Sequence, residues 1–322
     1  MQTNSDPAKA NGLCHRWGAV LAGGDGKRLL PLTRWMTGDD RPKQFCAVIG
    51  DRTLLQQTRS RVARTVSPDQ TLLVLTRTHE RFYGTEVADV SPSLLLIQPQ
   101  NRGTSAAILY SLMRIRAMDS SGLVAFFPSD HHFTDNDAFV AQIDLAFSLA
   151  EFCPELVFLL GIVPETPELS YGWIEPAARL ENPHTGFVSH VSRFWEKPSA
   201  TCASDLMRRG CLWNSFVMVG RVDSFLDLAR RTIPCLYKSF ESIRQSFSTA
   251  MEESALSGLY TGIPSSSFSD EVLSVSPQDL AVMRSCGLGW SDLGEPERVL
   301  AVYARKGPMC EHPYSFLPSM SA

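Results

Sequence analysis

The sequence predicts an α/β protein built on a Rossmann-like, mixed but mainly parallel sheet with helices on both faces, and three observations carry that reading. Short, nearly continuous apolar runs recur through the first half, as expected for strands covered on both sides. Helical patterns alternate with them, and the first run stops abruptly at a glycine-rich loop. Ligands of such sheets sit beyond the carboxyl ends of the strands, so function is to be sought in the loops that follow them.

The elements follow in order. Residues 1–14 are small and polar and read as a disordered arm. The apolar runs are Trp17 to Leu21, Thr71 to Thr76, Leu94 to Ile97, Leu123 to Phe127 and Leu156 to Ile162. Helical patterns lie between them at Leu54 to Ala63, Thr104 to Met118 and Asn136 to Glu151. The middle helix opens on a threonine and places Ala107, Ile108, Leu112 and Ile115 on one face. From Gly186 the pattern changes to strands over Phe187 to Trp195 and Leu212 to Gly220, with helices over Ala200 to Arg209, Val222 to Arg231 and Tyr237 to Glu253. A Ser/Gly/Pro-rich stretch, 257–269, reads as a surface loop. No linker divides the chain, so the second half is expected to close one side of the same cleft as a smaller lobe.

Composition narrows the function classes. With 322 residues the chain exceeds what one modest core organises, which predicts one large domain or a large domain with an appendage. Hydrophobic residues at 44% and charged residues at 20% exclude a mainly disordered chain. A net charge of −4 gives no general attraction to nucleic acid or anionic lipid, so any phosphate chemistry must be local. No apolar run reaches the roughly 18 residues of a membrane helix, and the start lacks the apolar stretch of a signal peptide. The eight cysteines show no zinc-ligand spacing and read as reduced thiols, mostly small buried residues. These features predict a soluble cytoplasmic protein.

The strongest local signal is Leu21-Ala-Gly-Gly-Asp-Gly-Lys-Arg-Leu-Leu-Pro-Leu-Thr33, followed by Arg41-Pro-Lys-Gln-Phe45. Glycines let backbone N–H groups approach phosphate oxygens, while Lys27, Arg28 and Lys43 supply positive charge. A Walker A loop is excluded because position 21 is Leu and position 28 is Arg; a dinucleotide fingerprint fails at Leu29. Downstream, Phe127-Pro-Ser-Asp-His-His132 closes an apolar strand with an acid at the functional rim; the lesser alternative for Asp130 is a turn or helix N-cap residue. His131 and His132 are adjacent at a strand end and point apart, so they do not ligate one ion together; a structural position suits His131.

Taken in order, these segments resemble the sugar-1-phosphate nucleotidylyltransferases. The resemblance spans about residue 17 to residue 300. It continues through Gln98-Pro-Gln-Asn-Arg-Gly-Thr104, Tyr171-Gly-Trp-Ile174, Phe194-Trp-Glu-Lys-Pro198, Trp213-Asn-Ser215 and Trp290-Ser-Asp-Leu-Gly294. The Pro42-Lys-Gln-Phe45 form is similar to mannose-1-phosphate guanylyltransferases. The resemblance implies a nucleotide-diphospho-sugar transferase fold over 15–305, with a nucleotide half over about 15–155 and a sugar and metal half over about 156–305. It implies GTP and mannose 1-phosphate as substrates, Mg²⁺ as cofactor and no nucleic-acid or membrane partner; a homo-oligomer is compatible with it. The alternatives are another sugar or base, or a catalytically silent nucleotide-sugar-binding subunit.

By that resemblance Arg28 and Lys43 are catalytic, binding triphosphate oxygens. Leu21, Ala22, Gly23, Gly24, Gly26, Asn101, Gly103 and Thr104 bind the nucleotide, with Thr104 equally readable as a helix N-cap. Gly172, Glu196, Lys197 and Asn214 bind the sugar phosphate, while Glu196 and Lys197 also read as a surface ion pair. Asp130 and Asp292 hold the metal. Two positions depart from the family pattern: Phe216 replaces its usual glycine, and Glu295-Pro296 replaces Ser or Thr followed by Trp. Only 23 residues follow Val299 in the 322-residue chain, which predicts a single activity with a short tail over 306–322 and no isomerase domain.

Overall fold

Four strands carry the continuous apolar runs: β1 (Arg16–Leu21), β2 (Thr71–Thr76), β3 (Leu95–Gln98) and β4 (Leu123–Pro128). They pair in parallel in the order β3-β2-β1-β4 in a computed structural model that describes residues 15–180 and 188–306. The arm expected over 1–14 and the tail after Lys306 lie outside the described residues. Period-two alternation sends Ala19, Val74 and Phe126 to one face of the sheet and Val20, Leu75 and Phe127 to the other. Both faces are covered. Helix α1 (Leu30–Thr37) follows the glycine loop, and α2 (Leu54–Val62), α3 (Glu80–Tyr83), α4 (Thr104–Met118) and α5 (Asn136–Phe152) complete this half. Thr53 and Gln56 start α2 with a reciprocal capping box, which fixes where it begins.

The second half extends the same sheet through β5 (Val157–Ile162), β6 (Gly172–Arg179), β7 (Val188–Glu196), β8 (Leu212–Arg221) and β9 (Leu280–Ser285). The nine-stranded order is β3-β2-β1-β4-β8-β5-β9-β7-β6, with an added β8–β6 pairing. Of these nine, β7 and β8 run against the rest, so the sheet is mixed but mainly of one direction. Trp173 opposite Trp213 joins β6 back to β8, so β8, β5, β9, β7 and β6 pair in a closed circuit. Around it lie α6 (Ala200–Arg208), α7 (Val222–Thr232), α8 (Pro234–Ser242), α9 (Glu252–Gly262) and α10 (Pro296–Lys306).

The structure corrects the reading of residues 237–269. Instead of one helix and a surface loop, the chain forms α8, a turn and α9. Phe247 packs on Tyr110 with ring centroids 5.6 Å apart, and Glu252 takes hydrogen bonds of 2.5 Å from Tyr110 and Arg114 on α4. These contacts with α4 require the chain to reverse between them. Residues 263–268 are no free loop: Phe268 is fully buried, and the Ser266 N–H donates to the Arg102 carbonyl at 3.0 Å. Strands β6 and β9 and helices α1, α3 and α10 have no counterpart in the sequence patterns above.

Cys46, Cys153, Cys202, Cys211, Cys235 and Cys286 are free thiols. No helix among the described residues is long and apolar enough to cross a membrane. Gly161 lies where β5 is pressed between β8 and β9; a Cβ there would stand 2.6 Å from Val282 Cγ2 and 2.8 Å from Leu212 Cδ1. Gly161→Ala is therefore expected to lower unfolding free energy in urea by about 1–3 kcal/mol. An unchanged midpoint and slope would contradict this packing.

Candidate active site

The glycine loop is built by its neighbours. Ala22 is fully buried and donates its N–H to Val74 O at 2.8 Å, continuing the strand pairing past β1. At Gly23 a Cβ would stand 2.7 Å from both Gln98 Nε2 and Thr76 Oγ1, so only glycine fits. Gly26 has φ +61° and rests against the Lys43 backbone. The segment Pro42–Phe45 is laced to this loop: Gln44 Nε2 donates to Ala22 O at 3.0 Å and to Gly24 O at 2.7 Å. The sequence places Gln44 in a motif without a role; its amide ties the cationic segment to the loop.

Beyond the strand ends opens a cavity of about 310 Å³, at the lower end of the size range for small-molecule sites. Leu21, Gly23, Gly24, Asn101, Gly103 and Thr104 line it, whereas Ala22 lies behind it in the core. Asn101 Oδ1 accepts the Gly103 N–H at 3.0 Å. Gly103 has φ +82°, and a Cβ on it would meet Ser266 O at 2.2 Å. The cap reading of Thr104 is corrected: Gly103 occupies the N-cap position, and Thr104 Oγ1 accepts the Phe268 N–H at 2.8 Å. Gln98 also lines the cavity, its Oε1 held by the Tyr260 hydroxyl at 3.0 Å.

One end of the cavity is acidic. The stretches carrying Asp130 and Asp292 are zipped together by two backbone hydrogen bonds, His132 N to Ser291 O at 2.9 Å and Ser291 N to His132 O at 3.0 Å. Lys43 is buried between them. Its Nζ donates to the Asp292 backbone carbonyl and stands 3.2 Å from Asp130 Oδ2. Arg28 is half-exposed, with NH2 3.6 Å from Asp292 Oδ2. Asp292 Oδ1 accepts three hydrogen bonds: Tyr171 Oη–H at 2.9 Å, Gly294 N–H at 2.9 Å and Arg298 NH1 at 2.7 Å. Burial alone would raise this carboxyl, but Lys43, His131 and Arg298 outweigh it and hold it at about 2.

Arg298 carries no functional signal in the sequence, and Tyr171 stands in a matching segment without a role of its own. Arg298 also pairs with Glu168 at 2.9 Å, bonds Ser170 Oγ at 2.6 Å and lies over the Tyr171 ring at 4.4 Å. Burial lowers His131 below the ordinary histidine range, with Asp130 opposing. Its Nδ1 accepts the Trp290 Nε1–H at 3.3 Å, which assigns the proton of the neutral ring to Nε2, facing Asp130 Oδ1 at 3.9 Å.

The sugar-side residues adjoin this end. Gly172 pairs with Glu196 across β6 and β7, and a Cβ on it would press on Glu196 Oε2 at 2.9 Å. Burial raises Glu196 above the usual carboxylate range, and Lys197 Nζ, 3.5 Å away, opposes this only in part. The Lys197 N–H donates to Tyr171 O at 3.2 Å, so Tyr171 links this group to Asp292. Asn214 is buried, and its Oδ1 accepts the Phe216 N–H at 3.0 Å. Phe216 keeps a left-handed backbone, φ +60°, despite its side chain. That conformation costs a non-glycine residue roughly 1–2 kcal/mol, and its side chain joins the cavity lining.

Asp130 lines the cavity and Asp292 lies behind it, joined through Lys43; their carboxylates are hard oxygen donors of the kind that suits a cation also taking phosphate and water oxygens. Among the described residues no group of three or more His, Cys, Asp or Glu gathers as a metal site, here or elsewhere, so these two carboxylates would leave the remaining positions to phosphate and water oxygens.

The model of the family described as nucleotidyl transferase matches residues 17–306. The chain is similar to the alginate biosynthesis protein AlgA of Pseudomonas aeruginosa, 32% identical over 89% of this chain and 58% of the relative. It is similar to mannose-1-phosphate guanylyltransferase 2 of Escherichia coli O157:H7, 29% identical over 91% of this chain and 61% of the relative. It thus spans about three fifths of the length of the curated relatives it matches. Among solved structures, a Thermus thermophilus protein named mannose-1-phosphate geranyltransferase superposes with a TM-score of 0.78 at 28% identity, covering 90% of this chain and 79% of that one.

The Asp292 cluster predicts a pH-dependent loss. An unfolded aspartate titrates near ~3.9, so the stability from holding Asp292 ionised is complete above that pH and is lost as pH falls toward 2. Arg298→Met is expected to destabilise by about 3 kcal/mol at pH 7, with the gap to wild type closing over this acid window in urea unfolding. A variant as stable as wild type at pH 7, or a gap that does not change with pH, would contradict the account.

Proposed function

The chain belongs to the nucleotidyl transferase family, and from that premise we propose that it transfers a guanylyl group from GTP to mannose 1-phosphate, giving GDP-mannose and pyrophosphate. The observation that carries this reading is the meeting of Arg28 and Lys43 with Asp130 and Asp292 in one cluster, which reaches the cavity bounded by the glycine loop through Asp130. The names of the relatives support the sugar and the base.

A sugar-phosphate oxygen bonds to the α-phosphorus in line with the departing oxygen of pyrophosphate, whose bond to that phosphorus breaks. No protein nucleophile is needed; placement and neutralisation of charge carry the catalysis. Gly23 and Gly24 let the nucleotide approach the backbone, with Leu21 beneath it. Gly26 keeps Lys43 close, and Asn101, Gly103 and Thr104 border the base. Lys43 is the preorganised cation, held by fixed oxygens. Arg28, with an exposed side chain, is free to move onto triphosphate oxygens. Glu196, raised by burial, meets sugar hydroxyls, and exposed Lys197 meets the sugar phosphate; Gly172 leaves room and Asn214 fixes the irregularity within β8. Asp130 and Asp292 would hold Mg²⁺, which supplies charge neutralisation at the phosphates.

A matrix of nucleoside triphosphates against hexose 1-phosphates, read by pyrophosphate release, tests the assignment. GTP with mannose 1-phosphate should give the highest kcat/KM; GDP-mannose binding without turnover for any pair would favour a silent binding subunit. Arg28→Ala and Lys43→Met should each lower kcat by about 10²–10³ while the fold persists by circular dichroism. Rates near wild type in both would remove these residues from the reaction.

A further inference from the structure

Behind the Asp130 loop lies a second cavity, of about 290 Å³, that the proposed reaction does not use. Helix α2 provides one wall, where Gln57 and Arg61, four residues apart, share one face, and Arg64 joins it from the turn that follows the helix. Arg52, ahead of the helix, and the turn from His132 to Asn136 complete it. The lining holds three arginines and no carboxylate.

Arg61 is 5% exposed. Its Nε donates to Asn136 Oδ1 at 2.7 Å, and NH1 reaches Thr58 Oγ1 at 3.5 Å; both acceptors are neutral. Phe133 and Phe139 present their rings to the guanidinium at 4.9 and 5.5 Å, which recovers part of the lost hydration. Burial lowers this group to about 10, and no acid opposes the shift. Arg114 and Arg298 show the usual solution for a buried arginine: Arg114 grips Glu252 through two contacts of 2.5 Å, and Arg298 holds Asp292 at 2.7 Å. Arg61 is built as they are, but facing a cavity instead of an acid.

The cavity lining proper carries no acid, although Asp135 and Asp137 flank it at the start of α5. The 17-residue helix α5 begins there with Asn136, and its Asp135 cap takes up only the Ala138 N–H, at 2.9 Å. A helix start favours negative charge. Arg52 and Arg64 are bound through exposed contacts, to Ser60 at 2.6 Å and Asp137 at 2.5 Å, that a ligand in the cavity can replace.

We propose that this cavity is a second anion site, which binds a phosphate group through Arg61, Arg52, Arg64 and the start of α5. It lies one loop thickness from the acidic end of the main cavity. His131 lines the main cavity and His132 the second.

The test uses the full chain and thermal unfolding in inorganic phosphate, against chloride at matched ionic strength. Wild type should gain several degrees at millimolar phosphate. Arg61→Met should unfold no lower than wild type in chloride, because it removes a buried cation without a counter-charge, yet lose most of the phosphate gain. The surface double variant Arg52→Gln/Arg64→Gln, which leaves the core intact, should bind phosphate at least tenfold more weakly by calorimetry. Phosphate in the main cavity contributes alike to all three proteins and cancels. Parallel titration with a hexose 6-phosphate tells a free ion from an esterified phosphoryl group by which binds more tightly. No phosphate gain in wild type, or the same gain and affinity in all three proteins, overturns the proposal; neither readout depends on turnover.

Discussion

One buried ammonium organises the acidic end of the main cavity. Lys43 Nζ is bound by the backbone carbonyls of Asp292 and Leu293 and stands 3.2 Å from Asp130 Oδ2. A lysine is costly to bury unless its donors and charge are all met. Three distant segments must therefore arrive together: Pro42–Phe45, the end of β4, and the turn after β9. Lys43 and Asp292 are 249 positions apart in sequence. Gly294 shows how tight the meeting is, since a Cβ there would stand 2.6 Å from Asp292 Oδ2 and 3.1 Å from Arg28 NH2.

Two further devices hold this arrangement. The His132–Ser291 backbone bridge fixes the spacing of the two acidic stretches, and Arg298 with Tyr171 fixes the rotamer of Asp292. Trp290 donates to His131 and packs on Tyr171 at 5.0 Å, so an aromatic wall backs the acids and keeps the ring of His131 oriented. Substrate charge can then be met by groups that need little rearrangement, the condition under which fixed cations stabilise a transition state best. The same loop separates two cavities, one bounded by the glycine loop and one lined by Arg61.

The parallel half of the fold was legible because its strands are buried on both faces and so read as unbroken apolar runs; Thr71–Thr76 and Thr104–Met118 fall where the sequence puts them. Strand β6 was not, since Gly172–Arg179 opens buried, contains Pro176 and ends exposed, which gives neither a continuous nor an alternating pattern. The break between α8 and α9 comes from Phe247 and Glu252 meeting α4, a tertiary demand no local pattern reports. Much the same divides the site. Glycine loop, Pro42–Phe45 and the strand-end acids carry local signals, whereas Arg298 lies in an ordinary amphipathic helix and Tyr171 is 121 positions from its partner. Phe216 was readable as a departure, but its left-handed backbone within the irregular part of β8 was not.

The most direct test of the central claim is a double-mutant cycle on Lys43→Met and Asp130→Asn, followed in urea unfolding and in pyrophosphate release. If the buried ammonium joins the two acidic stretches into one unit, the double variant should cost less than the sum of the single variants, with a coupling of about 1–3 kcal/mol in both measurements. Additive effects within about 0.5 kcal/mol would mean that Lys43 and Asp130 act separately, and that the acidic end is held together by something else.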